Sequence, residues 1–119
     1  MPQANILQKK SFSVALKIIA FCQELNTKKE YVLSKQLLRS GTSIGANIEE
    51  AQQAESRKDF ISKFSISLKE AYETRYWLRL ISESIVETQG KSQVLLDEVE
   101  EVIRILVASI KTAKSQLKK

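Results

Sequence analysis

Three sets of residues in this sequence have side chains that could do chemistry. The first is a scatter of cations, Lys9, Lys10, Arg57, Lys58, Lys63, Lys111, Lys114, Lys118 and Lys119. Their ammonium and guanidinium groups would neutralise phosphate oxygens if the fold gathered them. The second is Glu70, Glu73 and Arg75, two carboxylates and a guanidinium close together in the chain. Carboxylates alone can carry out acid–base chemistry, yet nothing sets this pair apart from ordinary helix-surface charge. The third is Ser40-Gly41-Thr42-Ser43-Ile44-Gly45, spaced like a phosphate-binding loop. It lacks the terminal Lys-Ser/Thr of that motif and follows no strand, so it reads as helix. With no His and the single Cys22, imidazole bases, thiol–imidazole pairs and Glu-x-x-His metal centres are excluded. The expectation is a protein without catalytic residues, cofactor or metal.

The elements that must position these groups follow from composition and spacing. The chain has 119 residues, 43% apolar and 28% charged, which suits one globular domain over 1–119. Three Gly and one Pro, the latter at Pro2, are too few for the turns of a sheet protein and point to long helices. Thr27 with Glu30, and Ser56 with Asp59, have capping-box spacing; Gly90 suits a helix C-terminus, with Ser92 capping the next helix. These marks predict helices at about 6–26, 28–55, 57–88 and 92–116. Short connections make neighbours antiparallel, so the predicted fold is all-α, an up-down-up-down four-helix bundle. Each predicted helix carries an apolar arc. The first has Leu7, Val14, Ile18, Phe21, Cys22 and Leu25, and the second has Leu33, Leu37, Ile44 and Ala51. Phe60, Ile61, Phe64, Leu68, Ala71, Leu78, Ile81 and Ile85 line the third. Leu95, Leu96, Val99, Val102, Ile103, Leu106, Ile110 and Ala113 line the fourth.

Some polar residues fall inside these arcs. Ser40 and Asn47 project into the second, with Arg39, Ser43 and Glu50 at its edge, and Arg75 projects into the third. A buried Arg requires a nearby carboxylate. The set Arg39, Ser40, Ser43, Asn47, Glu50 and Arg75 therefore predicts an internal polar network that sets helix register; a ligand or ion site within the bundle is the alternative. Gly41 and Gly45 predict close approach by another helix, from the same subunit or a neighbour.

Other large apolar residues fall outside the arcs. Phe12, Leu16 and Ile19 oppose the core side of the first helix, and Ile66, Tyr76, Trp77 and Leu80 that of the third. Scattered surface hydrophobes are common, but two contiguous faces predict self-association. Unlike faces meeting would make a heterologous contact that closes into a ring. Antiparallel packing also sorts the net charge of +5. The nine cations named first gather at one end, against Glu49, Glu50, Glu55 and Asp59. The other end carries Glu24, Glu30, Glu83, Glu87, Asp97 and Glu98 against Lys28, Lys29, Lys35 and Lys91. A ring would multiply the basic end into a broad phosphate-attracting surface.

One stretch is recognisable. Gln36-Leu37-Leu38-Arg39-Ser40-Gly41-Thr42-Ser43-Ile44-Gly45-Ala46-Asn47-Ile48-Glu49-Glu50-Ala51, followed by Ser56-Arg57-Lys58-Asp59-Phe60-Ile61, resembles the four-helix-bundle family encoded by ribosomal RNA intervening sequences. Leu68-Lys69-Glu70-Ala71 and Glu73-Thr74-Arg75-Tyr76-Trp77-Leu78 are similar to it as well. The resemblance implies an up-down bundle assembled as a homopentameric ring. It also implies an RNA or DNA partner, because the related accessory variability determinant of diversity-generating retroelements binds nucleic acid through basic surface. No catalytic residues carry over. The expected protein is a non-enzymatic, cytoplasmic homo-oligomer without a membrane span, associated with nucleic acid; a protein-only scaffold with a protein partner is the alternative.

Overall fold

The computed structural model describes residues 2–118. Four helices account for nearly all of them: α1 (Pro2–Thr27), α2 (Tyr31–Ala51), α3 (Arg57–Ser84) and α4 (Gln89–Leu117), with a short 3₁₀ turn, Val86–Thr88, before α4. α1 packs on α2, α2 on α3, α3 on α4, and α4 closes back on α1, giving a bundle 51 Å long and about 20 Å across. The pairings run in opposite directions along α1 and α4, Lys10 meeting Glu101 and Glu24 meeting Lys91, so these neighbours are antiparallel. No helix is long and apolar enough to cross a membrane among the described residues.

The core is drawn mostly from the four predicted arcs. Leu7, Ile18 and Leu25 from α1, Leu37 and Ile44 from α2, Phe64, Leu78 and Ile81 from α3, and Leu106 from α4 are among its largest fully enclosed side chains. Each contributes about 1.5–3 kcal/mol relative to exposure. Ile48, outside the predicted arc, is equally enclosed. Leu33, Phe60, Ile61, Leu68, Ile85 and Leu96 are only half-buried and pack on the margin. Several hydroxyls within this core find partners, while that of buried Ser109 has none among the described residues. Ser67 donates to the Ile44 carbonyl at 2.8 Å, and Ser34 Oγ donates to the Cys22 carbonyl at 3.2 Å while the Cys22 thiol donates to that of Ser34 at 3.4 Å. Burial of Cys22 raises its thiol pKa, an effect partly offset by the hydrogen bond with Ser34.

The helix ends hold the main departures from the sequence reading. Ser56 does cap α3: its Oγ accepts the Asp59 N–H at 3.0 Å, and Asp59 accepts the Glu55 N–H at 3.3 Å. That reciprocal cap keeps Glu55 and Ser56 outside a helix, and α2 stops at Ala51 rather than near 55. Thr27 caps nothing. It is the last residue of α1, and its hydroxyl donates back to the Glu24 carbonyl at 2.6 Å. The chain reverses instead through a Schellman motif, with Glu30 N–H on Leu25 O at 2.9 Å and Lys29 N–H on Asn26 O at 3.0 Å. Lys29 takes the left-handed position of that motif, with φ 64°. Gly90 is not a C-terminal residue; it lies in the first turn of α4, and α3 ends through extended Ile85. The buried Thr88 hydroxyl, donating to Ile85 O at 2.6 Å, turns the chain there, and Ser92 hydrogen-bonds to Thr88 rather than capping α4.

Gly41 and Gly45 set the closeness of α1 and α2 within one subunit. A Cβ at Gly41 would stand 2.5 Å from Ile18 Cδ1 and 3.0 Å from its Cγ2, and one at Gly45 would stand 3.2 Å from Ser11 Oγ. Gly41→Ala should therefore destabilise the protein by about 1–2 kcal/mol, because overpacking against enclosed Ile18 outweighs the gain in helix propensity. Lys29→Gly should stabilise it by about 1 kcal/mol by relieving the left-handed strain. Urea unfolding midpoints at constant slope check both; equal or opposite shifts would contradict the packing described.

Candidate nucleic-acid interface

Antiparallel packing brings the starts of α1 and α3 and the end of α4 together at one end of the bundle, as the charge pattern requires. Lys9, Lys10, Arg57, Lys58, Lys63, Lys111, Lys114 and Lys118 all belong to that end; Lys119 lies outside the described residues. They are not electrically equivalent. Lys10 pairs with Glu101, and its hydrogen bond, then its charge, hold that carboxyl below the ordinary value. Lys63 pairs with Glu50 at 3.4 Å. Lys9, Arg57, Lys58, Lys111, Lys114 and Lys118 are exposed, and none has a carboxylate within 4.0 Å among the described residues. Arg104, absent from the predicted set, shares this condition. Its spacing of seven residues before Lys111 is the signal that could have included it.

Toward the other end some cations are matched, while Lys29, Lys35 and Arg79 are exposed with no carboxylate within 4.0 Å among the described residues. Lys17 bonds Glu98 at 2.6 Å, Lys91 bonds Glu24, and Lys28 lies 3.5 Å from Glu87. The Glu87 carboxyl is held below its ordinary value, first by its own backbone N–H and then by the charge of Lys28. The start of α3 and the last part of α4 together carry Arg57, Lys58, Arg104, Lys111, Lys114 and Lys118, all exposed and without a carboxylate within 4.0 Å among the described residues.

The predicted internal polar network is not formed as a unit. Ser40 is buried, with the Thr74 hydroxyl of α3 at 3.0 Å. Ser43 and Asn47 are half-buried and bond their own helix, to the Arg39 carbonyl at 2.6 Å and the Ser43 carbonyl at 2.9 Å. Arg39 is exposed and bridges Glu70 and Glu73 across the α2–α3 seam, while Glu50 is exposed on Lys63. Arg75 does have its carboxylate, Glu100 at 3.0 Å, but at the α3–α4 seam and with its guanidinium 4.9 Å from the Tyr72 ring centroid. Long charged side chains at the edge of an arc extend to water along apolar surface, whereas Ser and Thr cannot. Glu70 and Glu73, engaged by Arg39, therefore belong to a surface ion-pair cluster. Among the described residues no group of three or more His, Cys, Asp and Glu could hold a metal ion.

The two outward apolar faces are present. Phe12 is 66% exposed, and Leu16, Ile19, Ile66, Tyr76 and Leu80 are exposed beside it or on α3. Trp77 differs from expectation: it is half-buried against the core, and its indole N–H donates to Glu73 at 2.9 Å. The α1 face continues into a groove of about 290 Å³ between α1 and α2, walled by Phe12, Ala15, Gly45 and Ala46. Ser11 lies against Gly45 and Ser67 bonds Ile44, so Phe12 and Ile66, their chain neighbours, stand at the same height along the bundle.

This geometry can be set beside known proteins. A crystal structure of a protein of unknown function from the S23 ribosomal protein family of Bacteroides thetaiotaomicron has a TM-score of 0.88 to this chain. It is 45% identical, over 92% of this chain and 98% of that one. Among curated proteins none matches. The family model for the 23S rRNA-intervening sequence protein matches residues 3–108, which span α1, α2, α3 and most of α4. On that match, and in agreement with the resemblance carried by Ser43, Ile44, Asn47, Ile48 and Glu50, the chain belongs to the 23S rRNA-intervening sequence protein family.

Proposed function

We propose that this protein is a non-enzymatic, cytoplasmic homo-oligomer, a pentameric ring, that associates with RNA or DNA through the basic end of its bundle. The observation that carries the reading is the group of exposed cations at the start of α3 and along the last part of α4 with no carboxylate within 4.0 Å among the described residues, on a stretch of α4 that carries no Asp or Glu from Val102 onward. Uncompensated cations gain most from phosphate because no internal partner must be given up, and bound counterions are released on contact. The exposed faces of α1 and α3 support association. In a ring whose axis runs along the bundles, cyclic symmetry requires the two unlike faces of a heterologous contact to meet without axial displacement, and Phe12 and Ile66 stand level. In such a ring every basic end points the same way. Free, buried Cys22 suits a reducing compartment.

Two measurements test the reading. Binding to RNA or DNA should weaken steeply between 50 and 200 mM salt, by roughly 10³ or more for six phosphate contacts; salt-independent binding, or none at low salt, refutes the nucleic-acid role and leaves a protein scaffold. Phe12→Glu should lower the mass seen by light scattering to that of one chain while keeping the helical circular dichroism. Trp77 is a poorer probe because it also packs on the core. A Phe12→Glu variant with the parent's mass places the interface elsewhere.

A further inference from the structure

The last stretch of the sequence is unusual in its charge. From Val102 to Lys119 it contains no Asp or Glu, and its ionisable side chains are Arg104, Lys111, Lys114, Lys118 and Lys119. Within α4, Val102, Ile103, Leu106, Ser109, Ile110 and Ala113 are buried. Arg104, Lys111, Lys114 and Lys118 are separated by seven, three and four residues, spacings that return to one helical face, and all are exposed. They form a straight stripe roughly 21 Å long on a rigid helix. Arg57 and Lys58 open α3, the helix packed beside it, and extend the stripe sideways. Lys9 and Lys10 are on α1, whose backbone does not closely approach that of α3 among the described residues, so that α1 lies across the bundle diagonal. Lys63 is committed to Glu50.

The stripe offers little on which bases could stack: exposed Tyr72, at the α3–α4 seam, has the Arg75 guanidinium over its ring at 4.9 Å. α4 contains no Phe, Tyr or Trp. The aromatic nearest in sequence to Arg57 and Lys58 is Phe60, half-buried with its ring centroid 4.2 Å from that of Phe64. Single-strand binders stack bases on aromatic rings, whereas a duplex presents a stiff double row of phosphates with its bases already stacked. We infer that the outward face of α4 from Arg104 to Lys118, with Arg57 and Lys58, is a docking ridge for the phosphate backbone of a double-stranded nucleic acid. The ridge adds Arg104 to the interface and leaves out Lys9, Lys10 and Lys63. It deepens the nucleic-acid reading above and rests on it.

The test compares two triple variants of the full chain, Arg104→Gln/Lys111→Gln/Lys114→Gln on the ridge and Lys9→Gln/Lys10→Gln/Lys63→Gln off it. Each is titrated by fluorescence anisotropy with a short RNA duplex, a DNA duplex of the same sequence, and one of its single strands. The parent should bind at least one duplex more tightly than the single strand, and the two duplex arms identify which kind is preferred. The ridge triple should reduce the slope of log K against log salt by about 3 and weaken duplex binding on the order of a hundredfold near 0.1 M salt. The other triple should change the slope by less than about 1. Equal or tighter binding of the single strand, or a larger loss from the off-ridge triple, overturns the ridge while leaving nucleic-acid association intact. No binding of any probe by the parent overturns both.

Discussion

Contact between Ile18 and the bare backbone of Gly41 governs much of this structure. A side chain at Gly41 would occupy the space of Ile18, so α1 is seated on α2 at one height and at close range. Ser34 and Cys22 repeat the match one level away, and Ser67 on Ile44 and Thr74 beside Ser40 set the height of α3 on the other side of α2. With α1 and α3 both levelled against α2, the positions of their outward residues along the axis are fixed. The alignment of Phe12 with Ile66 is a consequence of core packing.

The same levelling separates charges into those with partners and those without. Lys10, Lys17 and Lys91 fall opposite Glu101, Glu98 and Glu24 along the α1–α4 seam, and Arg39 falls opposite Glu70 and Glu73 along the α2–α3 seam. Exposed pairs of this kind add little stability. Their larger effect is to remove field from the flanks. Besides Lys29, Lys35, Lys69 and Arg79, the cations left without a partner among the described residues include those at the acid-free end of α4 beside the first turn of α3, and a field concentrated there attracts phosphate more strongly than the same charge spread evenly.

Fold class and most of the core were legible because helical periodicity is a local property of the chain. The centres of the arcs through Val14, Phe64 and Val99 are buried as their spacing required, with Phe60, Ile61, Leu68, Ile85 and Leu96 left half-buried at the margins, and the Ser56–Asp59 cap formed where its residues stand. Two other end signals misled. Thr27 and Gly90 have residue types common at helix ends, but the turns were decided by a Schellman reversal at Lys29 and by the buried Thr88 hydroxyl. Both depend on how the next helix docks. Arg39, Glu50 and Arg75 misled for a related reason: an angle on a helical wheel places Cα, and a long side chain is free to leave that direction for water or for a carboxylate on another helix.

By itself, then, the sequence determined four amphipathic helices, their antiparallel order, and hence which end collects Arg57, Lys58, Lys111 and Lys114; periodicity and short connections suffice for all of these. It also determined that the chain from Val102 onward carries no acid. Only the tertiary structure decided which cations are already neutralised, that Gly41 and Gly45 serve packing within one subunit, and that Trp77 is half-covered while Phe12 is bare. Those outcomes depend on distances between side chains on different helices. Such distances are set by the interlocking of the core, and no pattern within a single helix contains them.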